Sequence, residues 1–334
     1  MERIRTGVIG VGRMGKHHCR VHSGLKESHL VGIFDINKQT AKEISEIYEV
    51  PSYDRLDDLL NDVDAVSIAT PTPTHYELIK RCIDHKIHVL VEKPITDCSE
   101  NALKLIDLVD GINLIIMVGH IERFNPTYTE LKNVLETQKV LAINFRRLSP
   151  YRVSNKDVDV VMDLMVHDLD LCLDLTGAEP TSINAYGIKP FSDGLDHVVA
   201  QLFYSDGPLI TLTASRVTEG KIRMVEVTTE EAFIEADFLN KNIYVHRCSS
   251  GEYSSNRNNG VKYQQESMIQ RILVPNAEPL ALEIKHFITC IINKTSPDVP
   301  IHMGARALLL VEQIRNQVEM ENSKFSIHTK KASA

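Results

Sequence analysis

One short stretch constrains this chain more than any other. Gly10, Gly12 and Gly15 stand in G-x-G-x-x-G spacing between two apolar runs, Thr6 to Ile9 and Leu30 to Phe34. Asp35 closes the second run, twenty residues past Gly15. Strand, glycine turn, helix, strand and terminal acid fall in the order of a βαβ unit that holds a dinucleotide. Each position has a physical task. Gly10 permits the tight turn out of the strand, Gly12 lets backbone approach a pyrophosphate, and Gly15 lets the helix pack close to the strand. Arg13 and Met14 complete the loop, and the helix starting near Met14 aims N–H groups and its dipole at the phosphates. Asp35 is placed to accept hydrogen bonds from the adenosine ribose and to repel a 2′-phosphate, which selects NAD over NADP. The competing reading is a glycine-rich turn in an unrelated α/β protein.

Length and charge bound the rest. The 334 residues suit about two domains. A formal net charge of −8 argues against a nucleic-acid partner. No apolar stretch is long enough to span a bilayer, so no membrane partner is expected. The N-terminus, Met1 to Arg5, runs into the first strand without a signal-peptide pattern, and the six cysteines are scattered. The expectation is a cytoplasmic protein with reduced thiols.

The N-terminal half alternates short Val/Ile-rich strands, near 5–10, 29–35, 64–69, 87–91 and 112–118, with helices near 14–23, 38–48, 74–85 and 98–109. Thr72 or Thr74 offers an N-cap, and Asn125-Pro126 opens a further helix near 126–137. Beyond about residue 138 the pattern changes. One helical segment spans Asp157 to Thr176, closed by Gly177. Alternating segments follow at 181–188, 197–204, 208–216, 222–229, 231–237 and 242–247, with a hairpin turn at Ser205-Asp206-Gly207-Pro208. Ser249 to Gly260 reads as an exposed loop, 279–294 and 303–320 as helices, and His328 to Ala334 as a tail without structure. The predicted fold class is α/β: an N-terminal Rossmann doubly wound parallel sheet plus a C-terminal α+β domain with a large open, mostly antiparallel sheet. The predicted domains are 1–121, binding NAD, and 122–334, for substrate binding and oligomerisation, with a C-terminal helix packing back on the first. An open apolar sheet face needs a cover, so a homodimer or homotetramer is expected.

Three further constellations carry chemistry. Val89-Leu90-Val91-Glu92-Lys93-Pro94 is a buried strand ending in a carboxylate, an amine and a proline. Ligands of open α/β sheets sit beyond the carboxyl ends of the strands, so Lys93 stands where the reactive end of the dinucleotide belongs; burial or a nearby cation tunes a lysine toward working pH. Asp163 and His167, four apart on a very apolar helix, share one face. A carboxylate one turn before an imidazole suits proton transfer, and equally a satisfied structural pair continued by Asp170 and Asp174. A metal site from His167 and Asp168 lacks any companion histidine spacing, so no metal is expected. The strand-end loops Thr70-Pro71-Thr72-Pro73-Thr74-His75 and Gly119-His120 lie on the cofactor side, with Thr70, His75 and His120 as contacts and Thr72, Pro73 and Asn125 as turn and cap residues. Arg123, Arg146, Arg147 and Arg152 are candidates for an anionic substrate such as a diphosphate, or ordinary surface arginines.

Together the glycine motif, Ala69-Thr70-Pro71 with Thr74-His75, Glu92-Lys93-Pro94, and Asp163 with His167 resemble the glucose–fructose oxidoreductase / inositol 2-dehydrogenase / MocA-like family over nearly the whole chain. The resemblance implies NAD(P)-dependent oxidation of a sugar or cyclitol hydroxyl. It implies Lys93 and His167 in acid–base chemistry with Asp163 positioning them, and cofactor contacts from Gly10, Gly12, Arg13, Met14, Gly15, Asp35, Thr70, Pro71, Thr74, His75, Glu92, Lys93 and His120. A cis Lys93-Pro94 bond is part of it. Gly119 to Pro126 with Asp163 to Asp170 are similar to the nucleotide-sugar branch, the UDP-N-acetylglucosamine 3-dehydrogenases; the expected substrate contacts are Lys93, Arg123, Arg152, Asp163 and His167. Inositols and free hexoses are the alternative substrates. From another class, a dinucleotide-binding sugar repressor uses the same fold, but would be expected to lack the lysine or the histidine.

Overall fold

The computed structural model describes residues 3–151, 158–248, 252–255, 261–264 and 267–332. The chain divides into two compact units, residues 1–124 with 277–312 and residues 125–276 with 313–334.

The first unit is built as β1 (Ile4–Ile9), α1 (Arg13–Gly24), β2 (Ser28–Phe34), α2 (Lys38–Tyr48), α3 (Leu56–Asp62), β3 (Ala65–Ile68), α4 (His75–Asp84), β4 (His88–Glu92), α5 (Ser99–Val109) and β5 (Ile116–Gly119). All five strands are parallel, in the order β2-β1-β3-β4-β5. Strand order reverses at β1, which places the switch point between β1 and β3, beside the glycine loop. Helices on both faces explain the unbroken apolar strands: every residue of β3 is buried, as are Val89, Leu90 and Val91. Under α1 and α2 lies a cluster of Val8, Val11, Cys19, Leu30, Ile33 and Ile44. Helix α3 was not expected from the sequence; its seven residues bury Leu56, Leu59 and Leu60, an i, i+3, i+4 stripe too short to register as a period. Asn37 caps α2 by accepting from the N–H groups of Gln39 and Thr40. Thr74 precedes α4 but does not cap it; its hydroxyl donates to the Pro71 carbonyl.

The second unit opens with α6 (Pro126–Leu135), capped by Asn125, whose side chain accepts from Thr127 N–H at 3.0 Å. Then come β6 (Val140–Leu148), α7 (Val166–Thr176), β7 (Ser182–Ile188), β8 (His197–Phe203), β9 (Leu209–Ser215), β10 (Ile222–Thr229), β11 (Phe233–Asp237), β12 (Asn242–Cys248), β13 (Glu252–Ser255), β14 (Val261–Gln264) and β15 (Ser267–Ile272). Eight of these form one sheet, β15-β12-β11-β10-β6-β9-β8-β7, antiparallel except for the parallel β6–β9 pair. Alternate residues such as Ile143, Phe145, Val225, Val227, Leu212, Ala214, Val198 and Ala200 are buried. Strand β6 was not foreseen, and neither was β15. Strand β13 falls where a loop was expected from Ser249 to Gly260, and pairs with β14 just beyond it as a two-stranded ribbon.

The helix expected from Asp157 to Thr176 is shorter and not uniform. Asp159 Oδ1 accepts from the N–H groups of Val161 and Met162, so it caps the segment; residues 161–165 then wind as a π-helical turn before α7. Gly177 ends α7 at φ +64, as expected.

Two helices close the chain, α8 (Pro279–Asn293) and α9 (Ile301–Ala332). In the first unit, Val299–Pro300 pairs with β5 and covers that sheet edge, with Val118 N–H donating to Val299 at 2.9 Å. The expectation of an unstructured tail from His328 fails, since α9 runs to Ala332.

Candidate active site

The glycine loop follows the spatial logic read from its spacing. Gly10 has φ +82, and a Cβ there would meet Thr70 Cγ2 at 2.6 Å and the Ala69 carbonyl oxygen at 2.9 Å. A Cβ on Gly15 would fall 1.9 Å from the Gly10 carbonyl oxygen, so only glycine lets α1 lie this close to β1. A Cβ on Gly12 would meet nothing within 4 Å. Space is therefore reserved at the N-terminus of α1, where first-turn N–H groups have no partner within the helix. An anion fits there. Arg13 is exposed and Met14 half-buried beside it.

Asp35 stands across this space, at the end of β2. One carboxylate oxygen accepts from Val11 N–H and the other from Asn37 N–H, both at 2.8 Å. The side chain is thus fixed to the glycine loop, and its remaining lone pairs can meet a ribose diol. Lys38, the first cation after Asp35 in the chain, is bound to Asp54 through Nζ at 2.9 Å. The open cradle, the fixed acid and the committed lysine fit a dinucleotide carrying free ribose hydroxyls, which is NAD.

At the end of β3, Thr70 and Thr74 join their hydroxyls at 2.7 Å. Since Thr74 donates to Pro71, Thr70 is the donor to Thr74. His75 sits behind them, fully buried, with Nδ1 2.9 Å from the Pro94 carbonyl oxygen and Nε2 3.0 Å from that of Thr70. Burial holds its pKa below the ordinary imidazole value, against the pull of those carbonyls. His75 was expected to touch the cofactor. Its ring instead ties the strand-end loop of β3 to the one after β4, because both nitrogens are turned inward.

Strand β4 delivers Glu92 and Lys93, both half-buried, and the Lys93–Pro94 bond is cis. Glu92 accepts from His18 Nε2 on α1 at 2.9 Å. Burial pushes the Glu92 carboxyl up, but the His18 hydrogen bond and the charges of His18, Lys93 and His75 outweigh it, so the group lies below its ordinary value. His18 was not singled out from the sequence. The available signal was a histidine on the stripe Gly15, His18, Cys19 and His22, the face that α1 buries. His120 is buried just past β5, and Arg123 is half-buried in the following turn, Ile121–Phe124. The cofactor candidates thus gather at the carboxyl edge of the parallel sheet.

The second unit holds Asp163 within the π turn and His167 in the first turn of α7, both half-buried. π turns are uncommon and occur often at functional sites. The residue after His167 is locked to the sheet. Arg147 on β6 donates to Asp168 from Nε at 2.9 and 3.0 Å and from a terminal nitrogen at 2.6 Å, with both side chains buried. A buried fork of this kind fixes the rotation of α7 and therefore the aim of His167. It also removes Arg147 from the substrate candidates and Asp168 from any metal site. Asp170 is buried and Asp174 binds Tyr128 and Lys132, so they form no solvated stripe. Arg146 points to the opposite sheet face and pairs with Glu226 at 3.3 Å. Arg152 lies outside the described residues. Among the described residues no group of three or more His, Cys, Asp or Glu side chains could hold a metal, and no helix is long and apolar enough to cross a membrane.

Comparison with known proteins agrees with this geometry. Residues 4–120 match the GFO_IDH_MocA family model, described as the oxidoreductase family with an NAD-binding Rossmann fold, and residues 143–235 match the GFO/IDH/MocA C-terminal domain. The chain is 33% identical to the UDP-N-acetylglucosamine 3-dehydrogenase of Acidithiobacillus ferrooxidans, over 96% of this chain and 98% of that one. A solved structure of that enzyme superposes with a TM-score of 0.87 at 32% identity, covering 96% and 99%. The inositol 2-dehydrogenase of Rhizobium meliloti is 28% identical over 70% of this chain and 76% of that one. With a cradle that fits NAD, a matched cofactor half and a matched C-terminal half, the chain belongs to the Gfo/Idh/MocA family of NAD-binding oxidoreductases.

Proposed function

We propose that this enzyme oxidises a ring hydroxyl of a nucleotide sugar, with UDP-N-acetylglucosamine at C3 as the substrate to try first. The observation that carries the choice is the end-to-end similarity to the Acidithiobacillus ferrooxidans enzyme, which exceeds the inositol dehydrogenase match in both identity and coverage. Residues 1–121 would bind NAD, and 122–334 would bind the sugar and a second copy of the chain.

Bound NAD⁺ supplies the electron-pair acceptor. The chain's own residues do the rest. His167, oriented by Asp163 and by the Arg147–Asp168 fork behind it, takes the hydroxyl proton. Lys93 hydrogen-bonds to the same oxygen and steadies the charge that develops there. Arg123 and Arg152 are the candidates for the diphosphate. The glycine loop and Asp35 hold the dinucleotide, with Thr70, Pro71, Thr74, Glu92 and His120 completing that edge.

The exposed face of the large sheet carries Tyr186, Ile188, Phe203 and Phe233. Apolar side chains on an open sheet favour a homodimer through that face, or a tetramer of such dimers, working in the cytoplasm. Sedimentation at micromolar protein checks this, a monomer being the contrary result. The function is tested by following NAD⁺ reduction against UDP-sugars, free hexoses and inositols. Turnover with UDP-N-acetylglucosamine far above the others supports the proposal. Preference for an inositol assigns the enzyme to the activity named for its Rhizobium relative, and no turnover with any of them overturns the reading.

A further inference from the structure

Among the polar groups of the first unit, His18 has no task in the reaction as proposed, yet it is one of the most enclosed. Its side chain is 1% exposed, on the face of α1 that packs toward the sheet. Nε2 lies 2.9 Å from Glu92 Oε1. A carboxylate only accepts, so Nε2 carries the hydrogen and donates it. Among the described residues Nδ1 is buried with no hydrogen-bond partner, so the ring makes a single polar contact with them. An α1 side chain that serves helix packing alone would be apolar; a buried imidazole with one bond is retained at a desolvation cost, and the bond runs to the residue before Lys93.

Glu92 is only partly exposed, at the end of a strand whose preceding three residues are fully buried. The charged and titratable groups acting on it are Lys93, next in the chain, His18 from α1 and His75 from α4. Helix α8, which packs near β4, carries the buried Glu283. Of the two imidazoles, His75 has both nitrogens against backbone carbonyls and has none left for Glu92. Of the two, His18 is therefore the imidazole that holds the carboxylate.

We propose that His18 is a positioning residue: its bond to Glu92 keeps that carboxylate in place beside Lys93, and the carboxylate in turn keeps Lys93 an ammonium able to donate to the reacting oxygen. The proposal rests on the reading of Lys93 given above. Without the Nε2–H donor, a carboxylate in this dry setting takes up a proton or turns away toward water. Either change removes a negative charge from beside the lysine, which then gives up its proton at lower pH.

The test compares His18→Leu, close in volume but without a donor, with His18→Gln, whose amide nitrogen reaches the position of Nε2. The first readout needs no cofactor. Lysines are labelled by reductive ¹³C-methylation, the Lys93 signal is assigned by its loss in Lys93→Arg, and its titration is followed by NMR in the protein alone. His18→Leu should lower the Lys93 midpoint by about one pH unit, and His18→Gln should restore most of it. The second readout is kinetic. His18→Leu should lower kcat about ten- to a hundredfold, with the NAD dissociation constant within a factor of a few of the original, and His18→Gln should recover most of that loss. A Lys93 titration unchanged in folded His18→Leu overturns the proposal, as does a Gln variant no better than Leu. Should His18→Leu fail to fold, the His18→Gln and Glu92→Gln titrations decide in its place: Lys93 must keep its midpoint in the first and lose it in the second. A shifted Lys93 together with full turnover in Lys93→Met overturns the catalytic reading of Lys93 instead, and the two failures are told apart.

Discussion

Gly12 and Gly15 look equivalent in the motif, but the structure separates their duties, and alanine at each gives opposite results. At Gly15 the new Cβ would lie 1.9 Å from the Gly10 carbonyl oxygen and 2.8 Å from its carbon. Ordinary contact needs about 3.4 Å or more, and the obstacle is backbone in a turn already at φ +82 rather than a side chain that can swing aside. Helix α1 must back away from β1, which costs about 3 kcal/mol or more. At about 2–4 °C per kcal/mol for a domain of this size, Gly15→Ala should lower Tm by on the order of 6 °C or more. At Gly12 the Cβ points into open space, so Gly12→Ala should melt much closer to the original than Gly15→Ala does. The methyl would occupy the approach to the N-terminus of α1. Displacing a pyrophosphate from even one charge-assisted N–H bond should weaken NADH binding about ten- to a hundredfold. The chain has no tryptophan, so the emission of bound NADH can be titrated without indole interference, and melting is followed by circular dichroism. The reasoning fails if Gly12→Ala binds NADH normally, or if Gly15→Ala is as stable as the parent.

Lys93→Met and His167→Ala should each lower turnover by about 10²–10⁴-fold while NADH binding stays nearly intact, and Asp163→Asn should cost less because it keeps the base; normal turnover in either of the first two removes that residue from the chemistry. The parent should use NAD⁺ in clear preference to NADP⁺, since Asp35 repels a 2′-phosphate and Lys38 is held by Asp54, and Asp35→Ala should narrow the gap; equal kcat/KM for the two cofactors in the parent would contradict this. His22 is fully buried between the hydroxyls of Ser28 and Ser67, and burial, with the nearby His18 adding to it, lowers its pKa to about 3. The unfolded chain takes up a proton near pH 6.5 that the folded chain refuses, so stability is complete above pH 6.5 and falls toward pH 3, by up to roughly 5 kcal/mol for a gap of about 3.5 at 1.36 kcal/mol each. Urea titrations across that window should show a shallower acid limb in His22→Gln, and parallel limbs would sink the assignment.

The cofactor half was legible because its signals are local. A glycine triplet, an acid twenty residues on and short apolar runs each carry their meaning within one βαβ unit. The strands of the first unit lie within a few residues of where apolar runs placed them. Strand β6 was missed for a definite reason. Its register buries Ile143, Phe145 and Arg147 on one face, and a charge in the third place breaks the alternation that marks a half-buried strand. The π turn left no trace in the sequence either, since a carboxylate capping two N–H groups at Asp159 starts the segment and the extra residue per turn does not alter composition.

Buried charge is the common thread of what escaped. Arg147 with Asp168, Arg216 with Asp196 and His18 with Glu92 each join partners twenty or more positions apart. Each member alone looks like a surface residue or a ligand. A charge cannot be buried without a partner, so every such pair resolves two ambiguous residues at once. The arginines show the consequence. Arg147 and Arg216 are occupied by buried carboxylates, Arg216 also donating to Ser192 and to the Val158 carbonyl, and Arg146 answers Glu226 across the sheet. Of the four arginines the sequence offered for an anionic substrate, Arg147 is eliminated and Arg146 already faces a carboxylate. The reading of a diphosphate-bearing sugar therefore rests on Arg123 and Arg152, and it is the choice between nucleotide sugar and free polyol, not the hydroxyl chemistry proposed for Lys93 and His167, that turns on those two side chains.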